Sequence, residues 1–111
     1  MTIKELVEKA HKNARKHGFW EDWDRRCSSG LALQDDYNNA IATRLMLIVS
    51  ELGEALEALR HDDRENFAEE LADVAIRLAD LCGGIGIDLE SEIEQKLEKN
   101  RKRGYKHGKA F

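Results

Sequence analysis

Two long stretches of this 111-residue chain carry apolar side chains at helical spacing, and three polar residues separate them. Ile41, Leu45, Ile48, Leu52, Ala55, Leu56 and Leu59 recur every few positions between Asp36 and about Arg60. Phe67, Leu71, Val74, Leu78, Leu81 and Cys82 do the same in the second stretch. His61, Asp62 and Asp63 form the break, and either aspartate is placed to cap the helix that follows. The pattern predicts two long helices joined as a central hairpin.

Thr2 and Glu5 have capping-box spacing, which predicts a first helix from Ile3 to about His17, ended by Gly18. Phe19 to Asp35 keeps no period; its Gly, Ser and Asp content, with Trp20 and Trp23, predicts an ordered loop or short helical turns. Gly83, Gly84 and Gly86 are expected to end the second hairpin helix. Asp88 is expected to cap a last helix that runs through Ile93 and Leu97 to about Arg103, where Gly104 closes it before the tail YKHGKAF. The expected architecture is therefore all-α: a small four-helix bundle in a single domain over residues 1–111. The lack of proline and the prominence of Ala, Leu, Glu, Lys and Arg agree with it. A domain this short buries only part of its surface, so help from a second subunit is expected.

Charge and composition exclude several classes. A net charge of −4 argues against a binder of nucleic-acid polymers, although Lys96 to Lys109 is strongly basic. No apolar run approaches a membrane span, and Met1 to Ala10 carries charges rather than a signal-peptide core. Cys27 and Cys82 lack metal-ligand spacing and read as reduced thiols of a cytoplasmic protein.

Against this background the acids of the hairpin stand out. SELGEAL carries Glu51 and Glu54, three residues apart, and EELADVAI carries Glu70 and Asp73 at the same spacing. With Glu51 set at zero on its helix, the main apolar stripe centres at about 90° and Glu54 falls at about 300°. Setting Glu70 at zero places Leu71 and Leu78 near about 90° and Asp73 near about 300°. Each helix thus offers an acid pair from the same flank of its apolar face. Packed with those flanks together, four carboxylates converge, lose hydration and repel one another. A hard divalent cation is the natural counter-charge, and Mg²⁺, with Mn²⁺ as a substitute, fits an all-oxygen donor set. A single ExxE is common in a chain with 22 acidic residues; two pairs in matching register on adjacent helices are not. Internal pairing is the competing account, and Arg77, four residues after Asp73, is placed to bridge to it or to meet a phosphate. A di-iron site wants Glu-x-x-His, which is missing here, and no Cys/His cluster suits zinc.

The stretches SELGEALEALR, EELADVAIRLADL, GGIGIDL and KLEKNRKRGYKHGK together resemble the MazG-like superfamily of all-α nucleotide pyrophosphohydrolases. The resemblance implies Mg²⁺-dependent hydrolysis of a nucleoside triphosphate to the monophosphate and pyrophosphate. It implies Glu51, Glu54, Glu70 and Asp73 as metal ligands, and a homodimer or homotetramer. Ser50 stands where members often carry the first of two adjacent glutamates, which leaves water activation to Glu51, Glu54 or a supporting group. Gly104 stands where related tails often have proline.

Lys96, Asn100 and Arg103 share one face of the last helix, where a solvated basic end is the ordinary account. The resemblance makes them phosphate and sugar contacts. In the tail, Tyr105, Lys106, His107 and Lys109 are placed to fold over the phosphates, with a solvated basic tail as the ordinary account. The resemblance also points to Trp20 as a base-side contact, against a plain role in covering the bundle's end. Asn13 and His17 are within reach of the same pocket, but a core or surface role is the expectation for each. Phosphoribosyl-ATP pyrophosphohydrolysis is the enzymatic alternative, and a metal-binding helical interaction module the non-enzymatic one.

Overall fold

A computed structural model describes residues 1–111. It contains α1 (Ile3–Lys16), α2 (Glu21–Ser29), α3 (Gln34–Arg60), α4 (Arg64–Ile85), α5 (Leu89–Arg101) and a short 3₁₀ turn, Tyr105–Gly108, with no strand. The all-α expectation holds, with five helices in place of four. None is long and apolar enough to cross a membrane.

Local signals explain most of the boundaries. Thr2 Oγ1 accepts the Glu5 amide at 3.0 Å while Glu5 Oε1 accepts that of Thr2 at 3.1 Å, closing the capping box. Asp63 and Asp88 cap α4 and α5 by accepting from the amides of Asn66 and Ser91. The additional helix is α2. It has acids at Glu21, Asp22 and Asp24 in its first turn, which favour a helix start, but it is too short and polar to show a period. The expected stop at Gly83 and Gly84 is corrected: α4 runs through both and ends at Gly86, whose φ of 75° suits a left-handed cap. Gly83 and Gly84 permit close approach instead. A Cβ at Gly83 would lie 2.7 Å from His11 Cβ, and one at Gly84 would collide with the Trp20 ring.

α3 and α4 form the hairpin, and α1 lies along α4 and touches α5. From Ile41 onward the covered side chains of α3 fall at Ile41, Arg44, Ile48, Glu51, Ala55 and Ala58, alternately three and four residues apart. On α4 a line with the same alternation runs through Phe67, Glu70, Val74, Arg77 and Leu81, with Ala79, Asp80 and Cys82 covered beside it. These are the two contact lines of a coiled-coil-like pair, and each carries charged residues.

A step of one residue turns about 100° around a helix. In an antiparallel pair, the residues that follow each contact line therefore emerge on one side of the hairpin, and those that precede it emerge on the other. The following residues are Leu45, Val49, Leu52, Leu56 and Leu59 on α3, between 47% and 58% exposed, with Leu71 and Leu78 on α4 at 45% and 40%. The stripe expected to be buried is thus open in the single chain. The buried core is Ala10, Trp20, Ala55, Ala58, Ala79, Leu81 and Cys82, largely small residues that let backbones approach.

Candidate metal and nucleotide site

The acids are set by the contact lines. Glu51 and Glu70 occupy the lines themselves, between apolar neighbours, so both are drawn inside the hairpin. Asp73 precedes the α4 line by one residue and is exposed. One carboxylate oxygen from each of Glu51, Glu70 and Asp73 lies within 4.8 Å of the others. Glu54 stays outside this triad, at the rim of a polar hollow that it shares with Glu70, Ser50 and Gly53.

Glu70 is 9% exposed, and its Oε2 is buried with no hydrogen-bond partner. Its pKa is pushed up to about 7, first by a hydrogen bond shared with Glu51, then by burial, then by the charges of Glu54, Glu51 and Asp73. A buried carboxylate oxygen with no hydrogen-bond partner, on a member of the acid cluster, is a group that a cation would satisfy. Three convergent carboxylates without a nitrogen or sulfur donor fit a hard divalent ion.

The pairing expected between Arg77 and Asp73 is corrected. Arg77 Nε donates instead to Glu51 Oε1, across the hairpin, at 2.8 Å. Both residues sit on the contact lines and face each other, whereas Asp73 lies one residue off its line and is exposed.

On the side of the hairpin away from the leucines lies a cleft of about 490 Å³, a size suited to a small-molecule ligand. The residues preceding the contact lines wall it: Thr43 and Leu47 from α3, and Asp73, Ile76 and Asp80 from α4. α1 contributes Ala10, Asn13 and Ala14, and Phe19 closes one end. Glu51 and Arg77 also reach it, so the acid cluster opens into the cleft.

The far wall is held by a chain of charges. Arg15 donates to both oxygens of Asp24, and its Nε donates to His11 Nε2 at 2.9 Å. That leaves the proton on His11 Nδ1, 2.9 Å from Asp80 Oδ1, where it donates to the carboxylate. The same oxygen accepts from Trp20 Nε1 at 2.8 Å. Arg44 lies 4.1 Å above the Trp20 ring and donates to Asp22, and that pairing holds the Asp22 carboxyl below its ordinary range.

Trp20 is therefore not an open platform. It is 1% exposed, wedged against Gly84, His11, Trp23 and Arg44. The aromatic that faces the cleft is its neighbour Phe19, 63% exposed. Sequence reasoning passed over Phe19, and the signal available was its place beside a tryptophan after a helix-ending glycine. Asn13 lines the cleft and His17 does not. Nor do Lys96, Asn100, Arg103, Lys106 or His107, which lie on α5 and the exposed tail outside both hollows of their own chain.

A family model described as the MazG-like family matches residues 46–110. No curated protein and no solved structure matches the chain. The matched stretch holds all four acids, Arg77 and the basic end, while Asn13, Phe19 and Arg44 lie before it.

Proposed function

Because the chain belongs to the MazG-like family, we propose that it hydrolyses a nucleoside triphosphate to the monophosphate and pyrophosphate with the help of Mg²⁺. The observation that carries this reading is the convergent triad of Glu51, Glu70 and Asp73, with its buried, unpartnered Glu70 oxygen, beside a nucleotide-sized cleft. A bound Mg²⁺ would neutralise phosphate oxygens and favour ionisation of a water. Glu51, Glu70 and Asp73 would hold it. Glu54, outside the triad but close enough for its charge to act on Glu70, is left to take the proton of the attacking water. The water oxygen bonds to the α-phosphorus as the bond to the departing pyrophosphate breaks. Phe19 offers a face for the base and Asn13 an amide that both donates and accepts.

The exposed leucine face of the hairpin is taken by a second copy of the chain in this reading. Seven large apolar residues in heptad register are a self-complementary surface when two hairpins meet about a twofold axis. Lys96, Asn100, Arg103, Lys106 and His107 then meet the phosphate chain from outside the cleft, a place the basic end of a neighbouring copy fills as well as its own.

The test is pyrophosphate release from a panel of canonical and modified triphosphates and phosphoribosyl-ATP, with and without Mg²⁺. Release that needs the metal, and that E54Q or D73N reduces at least about 100-fold, is the expected result. A folded, metal-binding protein that stays silent across the panel would replace the enzyme with a metal-binding interaction module.

A further inference from the structure

Two arginines line the cleft, and their commitments differ. Arg44 is fully engaged: its terminal nitrogens donate to Asp22, Phe19 O and Ala40 O, and its plane covers Trp20. Arg77 makes one bond, from Nε to Glu51, and both of its Nη atoms are without a partner in the chain. Its partner is the more enclosed member of the pair. The Glu51 side chain is 13% exposed and that of Arg77 37%, so the acid is fixed inside the hairpin while the guanidinium stands at the mouth of the cleft.

The cluster is also under-compensated. One guanidinium reaches one of three convergent acids and leaves Glu70 Oε2 with nothing. A divalent ion ligated by several carboxylates at once satisfies what Arg77 does not. An ion ligated by Glu51 draws on the same carboxylate that the guanidinium holds, and its charge repels the guanidinium beside it.

We propose that Arg77 is a stand-in for the cation: it holds Glu51 while the cluster is free of metal and passes to a phosphate of the bound nucleotide once a divalent ion has taken Glu51. The inference rests on the reading of the site given above and adds an order of events to it. A fork of free N–H groups at the cleft mouth is matched to phosphate oxygens, and no lysine lines the cleft to compete for them. Ion and triphosphate thereby favour each other: the ion frees the phosphate ligand, and the phosphate keeps that ligand from returning to Glu51. An ion that must first displace Arg77 binds with an affinity lowered by the fraction of molecules in which the pair is closed.

The experiment uses the full chain without nucleotide. Mn²⁺ affinity is measured by the paramagnetic resonance of the free ion for wild type, R77Q and R77K, and binding of an α,β-methylene triphosphate analogue is then measured at saturating Mn²⁺. R77Q is expected to bind Mn²⁺ about threefold to tenfold more tightly than wild type and the analogue about tenfold more weakly. R77K is expected to fall between the two. A purely structural role for Arg77 would weaken both; that outcome, or an unchanged Mn²⁺ affinity, overturns the proposal. A measurement on wild type needs no variant to fold: the Arg77 Nε–Hε signal is protected from solvent exchange in the metal-free protein and loses protection on saturation with Mg²⁺. Protection that survives Mg²⁺ also overturns it. Metal-dependent pyrophosphate release by wild type keeps the enzymatic reading standing whichever way Arg77 falls. Tighter Mn²⁺ binding by R77Q in a protein that releases no pyrophosphate would defeat that reading and leave the exchange of partners at Glu51 intact.

Discussion

Glu70 shows how much one side chain can decide. Its ordinary pKa is 4.5, and in the metal-free fold it rises to about 7. Below the lower value the group is protonated folded or unfolded and costs nothing. Between the two, the unfolded chain has shed a proton that the folded chain keeps, so stability falls as pH rises. Above about 7 the group is ionised in both states and the full cost is present. The metal-free protein is thus expected to lose melting temperature from pH 4.5 to pH 8 relative to E70Q, and added Mg²⁺ at pH 8 should restore wild type alone. Thermal melts of both proteins with EDTA and with Mg²⁺ check this; a wild type that melts no lower than E70Q at pH 8 would refute it. Phe19 and Trp20 make a second contrast. W20A removes the buried ring and should cost about 3–5 kcal/mol. F19A removes an exposed one and should leave the melt nearly unchanged while raising KM severalfold. Equal effects on stability would undo the assignment of core to one and cleft to the other.

Among the elements, the hairpin was the most legible in sequence because its apolar period spans many turns. The caps at Thr2 and Asp88 were equally plain, since each is decided within four residues, and of the two aspartates offered for α4 it is Asp63 that caps. What escaped was decided at longer range. α2 has no apolar stripe to betray it. Gly83 and Gly84 read as a helix stop because local propensity says so, yet packing against His11 and Trp20 keeps them helical. The acid pairs were found from spacing alone. Their division into an inner triad and an outer Glu54 was not, because it depends on which residues become the contact lines, and the leucine stripe pointed to the wrong face. Arg77 was paired with the wrong acid for the same reason. Gly84→Ala should cost about 3 kcal/mol and lower the melting temperature by about 10 °C, because the added carbon meets Trp20. Gly53→Ala, with open space at its Cβ, should raise stability by about 0.5–1 kcal/mol. Calorimetry that gave both substitutions the same sign would contradict the packing described.

The whole molecule is extended for its length. Its radius of gyration is 16.8 Å, where a compact chain of this size has about 13 Å. The excess belongs to a long hairpin with one uncovered side. Leu56→Asp places a charge in the middle of that side and should convert a dimer to a monomer in sedimentation at micromolar concentration. A wild type that already sediments as a monomer would leave the leucines without the proposed occupant. The matched family stretch begins at residue 46, so the acids and the basic end lie within it, while the α1 wall of the cleft and Phe19 lie before it. In the proposed reading chemistry and selectivity thus fall in different parts of the chain, and exchanging residues 1–45 is expected to change base preference while keeping metal-dependent pyrophosphate release.

The charged residues on the contact lines also act as a ruler. Arg44 and Glu51 stand seven residues apart on α3, and Glu70 and Arg77 stand seven apart on α4. A slide of one heptad would keep every alanine and leucine in an acceptable place, because apolar lines do not distinguish one repeat from the next. It would separate Glu51 from Arg77 and leave a buried carboxylate with no cation near it. The hairpin therefore has one alignment that its charges tolerate, and in that alignment the three acids meet.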